Sequence, residues 1–202
     1  MAGTAADKEY CDRESPALGN SGMTLLIRHA ESAWNEHFGA SRIDVGWPDP
    51  PLTARGIEQA QAAAERLRAE DIRRVITSPY RRTLQTASII AGALGLPITL
   101  DPSVRERCAF SCDQGTAPGE LARLWPELDF TGLDELWWGG VIESWTSLAA
   151  RCAAFRARLG RAADRDRVCV VTHWGFIRGL TGAELHNTDF IRLAWDEAPA
   201  RN

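Results

Sequence analysis

Short apolar runs alternate with longer stretches of helical spacing along this chain, and that alternation limits the fold more than any other feature of the sequence. Met23–Ile27 (MTLLI), Arg74–Thr77 (RVIT), Ile98–Leu100 and Arg167–Thr172 (RVCVVT) read as strands, the last a continuous apolar run. Between them, Ile57, Ala60, Ala64 and Leu67 repeat at helical spacing within roughly Thr53 to Ala69. Leu84, Ala87, Ala91 and Leu94 do the same after Ser78-Pro79, which reads as an N-cap followed by Pro in the first helical turn, and Gly95 is a fitting stop. Trp145, Leu148, Cys152, Phe155 and Leu159 mark a strongly amphipathic helix, and another helix begins near Gly175. Strand–helix alternation of this kind predicts an α/β fold with a mostly parallel sheet covered on both faces. The stretch from about Cys108 to Gly140, rich in Gly, Pro and Trp, has weak periodicity and reads as irregular.

The chain has 202 residues, enough for one α/β domain with a substantial core. Its formal net charge of -4 excludes a general electrostatic footprint for nucleic acid, although a local Arg cluster can still bind a small anion. Five scattered cysteines, Cys11, Cys108, Cys112, Cys152 and Cys169, read as reduced thiols of a cytosolic protein, with no second pair to turn Cys108 and Cys112 into a zinc site. No metal or nucleotide signature of the HExxH, GxGxxG or Walker type is present. Residues 1–22 are polar and small, with Asp7, Glu9, Asp12 and Glu14, and read as a disordered tail before a single domain over 23–202. No run is long enough to span a membrane.

Ligands of open α/β sheets bind beyond the carboxyl ends of the strands. There the first strand ends in Arg28-His29-Ala30-Glu31, the second in Ser78-Pro79 followed by Arg81 and Arg82, the third in Arg105-Glu106-Arg107, and the late apolar strand in His173. A neutral imidazole is a good nucleophile near neutral pH. Guanidinium groups and a helix N-terminus neutralise phosphate oxygens, and a carboxylic acid can protonate a leaving alkoxide. Taken singly, such residues are more often structural or solvated. Four of them leaving one sheet edge with complementary chemistry point to phosphoryl transfer from an ester.

At these residues the chain resembles the histidine phosphatase superfamily, in its phosphoglycerate mutase-like branch. Arg28-His29-Ala30-Glu31-Ser32-Ala33-Trp34-Asn35 is similar to that family's RHGESxWN signature. Pro51-Leu52-Thr53 with Gly56 and Gln59-Ala60 is similar to PLTxxGxxQA, and Ser78-Pro79 through Arg82 with Gln85-Thr86-Ala87 to SPLxRAxQTA. Thr172-His173-Trp174-Gly175 is similar to its second-histidine motif. The resemblance runs from about Met23 to Gly179 and implies a three-layer α/β/α sandwich. It implies that His29 becomes transiently phosphorylated, that Arg28, Arg82 and His173 hold the transferring phosphate, and that Asn35 lies at the pocket. Glu106 becomes the proton donor that later helps to activate water. Arg82 is preferred to Arg81 from its spacing to Thr86. Arg105, Arg107 and Arg178 are open between substrate contact and structural or solvated roles, Trp34 and Trp138 are candidates for the pocket wall, and His37 and His186 read as surface or structural.

The resemblance implies no metal or organic cofactor and a small phosphorylated substrate, and the reduced thiols point to a cytoplasmic location. Three functions compete: a phosphatase acting on a phosphorylated metabolite or phosphoprotein, a phosphoglycerate mutase, and a non-catalytic phosphate-binding module. The 29 residues after His173 are short for an enclosing mutase lid and tail, which favours hydrolysis. The intact set of Arg28, His29, Arg82 and His173 argues against the module.

Overall fold

In a computed structural model of the chain, which describes residues 23–140 and 142–195, five strands form one sheet. Strands β1 (Thr24–Arg28), β2 (Arg74–Thr77), β3 (Ile98–Leu100), β4 (Val168–Thr172) and β5 (Phe190–Leu193) lie in the order β3-β2-β4-β1-β5. The first four are mutually parallel, and β5 runs antiparallel to β1. The expected disordered tail falls outside the described residues.

Strand pleating sends successive side chains to opposite faces, and the two faces carry two cores. Leu25, Ile27, Val75, Cys169 and Val171 pack under helices α2 (Ala54–Leu67) and α3 (Arg81–Leu94). Leu26, Ile76, Val168 and Val170 pack under α5 (Trp145–Leu159) and α6 (Trp174–Thr181). The result is the expected three-layer sandwich. All of β4 is buried, as its unbroken apolar run requires of a central strand.

Three expectations need correction. On α2 the buried stripe is Gly56, Ala60, Ala63, Ala64 and Leu67, whereas Ile57 faces solvent; likewise Trp145 at the start of α5 is about half exposed. Helix α3 begins at Arg81, not in the turn after Ser78, because Ser78 is occupied elsewhere and the N–H of Arg81 is accepted by the Asp49 carboxylate at 2.9 Å. The stretch Cys108–Gly140 is less irregular than its weak period suggests. It holds a 3₁₀ turn at Ser111–Asp113 and helix α4 (Pro118–Leu124), and its Leu121, Phe130 and Trp137 form a third core with Tyr80 and Leu84.

Helix α1 (Ala33–Ser41) has little apolar period and is set by its cap. The Ser32 hydroxyl accepts from the Asn35 N–H while the Asn35 side chain accepts from the Ser32 N–H, a reciprocal box. Gly95 closes α3 in the left-handed conformation, as expected of a C-terminal glycine.

Candidate active site

Register brings the strand ends level. Arg28 of β1 lies beside Thr172 of β4, and Thr77 of β2 beside Val171. The residues that follow these strands, His29, Ser78 and His173, therefore leave the sheet together, and the His29 N–H donates to the Thr172 carbonyl at 2.9 Å. The rings of His29 and His173 lie 5.2 Å apart. The Tyr80 ring is 5.0 Å from His173, with the Arg82 guanidinium carbon 4.2 Å from the Tyr80 centroid.

The loop bearing His29 is tied down by the other motif segments. The Ala30 N–H donates to the Thr86 hydroxyl at 3.1 Å, the Glu31 N–H to Gln59 at 2.9 Å, and the Leu52 N–H to Gln85 at 2.8 Å. A side chain at Gly56 would collide with the Glu31 carbonyl, so α2 can approach this loop only through a glycine. Ala30 itself is buried beside Leu52 and Ala60.

His29 Nδ1 lies 2.7 Å from its own neighbour's carbonyl, Ala30 O. A carbonyl can only accept, so Nδ1 carries the proton and Nε2 carries the lone pair. Burial and the charges of Arg82 and Arg28 hold the His29 pKa well below its ordinary value, against the Ala30 carbonyl. The ring is therefore a neutral base with a free Nε2 at physiological pH. His173 is likewise held well below its ordinary value by burial, Arg82 and His29. Its Nε2 is 2.7 Å from the Ser78 hydroxyl, and its Nδ1 is buried without a hydrogen-bond partner. Arg28 donates to the Leu185 carbonyl at 2.8 Å and keeps a buried, unpartnered Nε. Asn35 has its amide oxygen engaged by Ser32 and by Asn187, which also donates to the His29 carbonyl at 2.8 Å.

Glu106 follows β3 through a 3₁₀ turn. Its carboxyl accepts from the N–H of Arg107 at 2.7 Å and from the N–H of Gly175 at 3.2 Å, at the start of α6. Burial and the nearby Asp113 charge raise its pKa, against these N–H groups and Arg82. Burial raises the Asp113 pKa too, but the Arg82 guanidinium that donates to it at 3.2 Å and the N–H groups of Ala109 and Phe110 oppose that rise, so of the two carboxyls Asp113 is the one held toward the ionised form. A cavity of about 80 Å³ opens beside this carboxyl, lined by Arg107, Ala109, Phe110, Asp113, Trp174 and Gly175. Trp174 is thus the tryptophan on the wall. Trp34 lies against Phe110, with ring centroids 5.1 Å apart, and Trp138 packs on Trp137. A smaller hollow at the opposite sheet edge, between Met23, Glu70, Asp166 and Arg192, is remote from these groups.

The structure therefore gathers His29, His173, Arg28, Arg82 and Glu106 at one edge. It also shows groups that sequence reasoning passed over. Arg151 donates to the carbonyls of Ser103 at 3.0 Å and Arg105 at 2.7 Å, is paired with Glu143, and so braces the Glu106 loop from α5. Asp49 and Asp113 flank Arg82, and Ser78 holds His173. Arg151, Asp49 and Asp113 are lone residues of common type with no local pattern. Only Ser78, within the SP segment, stood in a recognised motif.

Residues 24–198 match the model of the histidine phosphatase superfamily, branch 1. The chain belongs to that superfamily. Over 84 residues it is 49% identical to the probable phosphoglycerate mutase GpmB of Yersinia enterocolitica, covering 42% of this chain and 37% of that protein. The match thus spans little more than a third of the relative's length. Among solved structures, mycobacterial glucosyl-3-phosphoglycerate phosphatase Rv2419c in complex with VO3 is 25% identical, with a TM-score of 0.61 over 86% of this chain and 91% of that one. Bacillus stearothermophilus YhfR is 27% identical, with a TM-score of 0.55 over 79% and 78%. Among the described residues no helix is long and apolar enough to cross a membrane.

Gly175 offers a local test of how closely the Glu106 carboxyl must be placed in this histidine phosphatase fold. A methyl group there would fall against Glu106 Oε1 and the Arg107 side chain. Gly175→Ala is expected to lower kcat on an alkyl phosphate ester by roughly 10²-fold, the scale of a 1 Å misplacement. Steady-state phosphate release by the folded variant checks this, and a parent-like rate would show that the carboxyl position is not critical.

Proposed function

We propose that the chain is a phosphomonoester hydrolase that works through a phosphohistidine at His29, on a small phosphorylated metabolite or a phosphoprotein. The observation that carries this reading is the locked tautomer of His29: Nδ1 is bound to the Ala30 carbonyl, so an unprotonated Nε2 is presented beside His173 and Arg82. In the first step His29 Nε2 bonds to phosphorus and the P–O ester bond breaks. The leaving alkoxide takes the Glu106 proton. Arg28 and Arg82 neutralise the phosphoryl oxygens, and neutral His173 supplies a hydrogen bond to them. In the second step water attacks phosphorus and gives its proton to the Glu106 carboxylate. The P–N bond breaks, and inorganic phosphate leaves.

Hydrolysis is supported by the similar solved structure named as a glucosyl-3-phosphoglycerate phosphatase. Phosphoglycerate mutation is the second reading, favoured by the relatives named for that activity. Purified protein assayed in parallel for phosphate release from a panel of phosphorylated metabolites and phosphopeptides, and for interconversion of phosphoglycerates, separates the two. Release is expected to dominate. Mutase turnover well above hydrolysis would transfer the assignment to the second reading.

A further inference from the structure

Arg82, the cation assigned above to the phosphate, is not free to serve phosphate alone. It is almost fully buried; its Nη1 donates to the Cys112 carbonyl at 2.8 Å and its Nη2 to Asp113 Oδ1 at 3.2 Å. The Asp113 carboxylate is itself fixed. Its other oxygen accepts from the N–H of Ala109 at 3.0 Å and of Phe110 at 3.1 Å, and its carbonyl accepts from the Tyr80 hydroxyl at 2.6 Å. Asp113 also lines the cavity beside Glu106. A second carboxylate, Asp49, stands 4.0 Å from Arg82, but its oxygens are taken by the Arg81 N–H and by Thr116. One guanidinium thus faces two rigidly held carboxylates, of which Asp113 is directly bonded to it. A phosphate dianion on the same guanidinium meets their repulsion at short range.

We propose that Asp113 is the resident counter-anion of Arg82 and competes with phosphate for it, a positioning residue that weakens the hold on product phosphate and so promotes its release. The proposal rests on the reading of Arg82 as a phosphate ligand. It differs in sign from a merely structural role. A loop anchor, when removed, misplaces Arg82 and weakens phosphate binding, whereas a competing charge, when removed, strengthens it.

The test is inhibition of aryl phosphate hydrolysis by inorganic phosphate in the full chain. Asp113→Asn keeps the shape and an oxygen for the loop N–H groups while deleting the charge, and is expected to bind phosphate about tenfold more tightly. Asp113→Ser, neutral and smaller, should shift affinity the same way and stands in if the Asn variant does not fold. Asp113→Glu, with the charge retained, should stay near the parent value. Unchanged or weaker phosphate inhibition in the neutral variants overturns the proposal. Arg82→Gln separates the levels, with binding of inorganic phosphate followed by calorimetry. If it leaves phosphate affinity intact, Arg82 is no phosphate ligand and both readings fall; if it abolishes binding while the neutral variants do not tighten it, only the competition falls.

Discussion

His29→Ala is expected to lower kcat on a generic aryl phosphate by about 10⁴-fold or more, the scale on which deletion of a covalent nucleophile removes turnover. The expectation follows from the site geometry. The proton sits on Nδ1 against the Ala30 carbonyl, Nε2 is free, and burial with two nearby guanidinium charges keeps the ring neutral. No other side chain in the cluster has these properties together. His173 has its Nε2 committed to Ser78, and Glu106 is held by two N–H groups. The substitution leaves the buried Ala30 carbonyl without its partner, a cost of about 1–3 kcal/mol. Thermal melting should therefore accompany the assay, so that lost activity is read only in folded protein. Quenching the parent during turnover of labelled substrate should trap an acid-labile phosphoenzyme that the variant lacks. A folded variant that hydrolyses the ester at the parent rate would remove His29 from the mechanism.

Much of the sheet was legible because its signal is local. The β4 run is apolar throughout and is central and fully buried, and β2 coincides with Arg74–Thr77 as read. The motif residues were legible as a set, and the structure gives them work: Gln59, Gln85 and Thr86 bind the backbone around His29. What stayed hidden depends on distant partners. The start of α3 is fixed by Asp49, 32 residues away, so Ser78 is released from capping to meet His173. Strand β5 is four residues long with an exposed Arg192, and it becomes a strand only by pairing with β1. Helix α1 depends on one capping box in place of an apolar stripe. Asp113 and Arg151 carry no periodicity, so their meetings with Arg82 and with the Glu106 loop emerge only when the chain is folded.

Glu106→Gln separates the proton-donor role from mere electrostatics. A glutamine keeps the carbonyl oxygen that can accept from Gly175 but cannot deliver a proton. Loss of general acid catalysis costs roughly 10²–10⁴-fold where the leaving alkoxide is basic, so alkyl phosphates should slow by that factor. Aryl esters with acidic leaving groups need little protonation and should slow far less. The pH dependence gives an independent sign. As the proposed acid Glu106 would act in its protonated form, and burial beside Asp113 raises its pKa above the ordinary carboxylate value, so alkyl ester turnover should hold into weakly acidic solution and fall as pH rises through that raised pKa. The proposed nucleophile His29 would work in its neutral form, and because burial, Arg82 and Arg28 lower its pKa, protonation should cut the rate only well below the ordinary imidazole range. The Gln variant should lose the alkaline fall for alkyl esters while keeping the acidic one. Equal slowing of alkyl and aryl substrates with an unchanged pH profile would show that another group protonates the leaving oxygen.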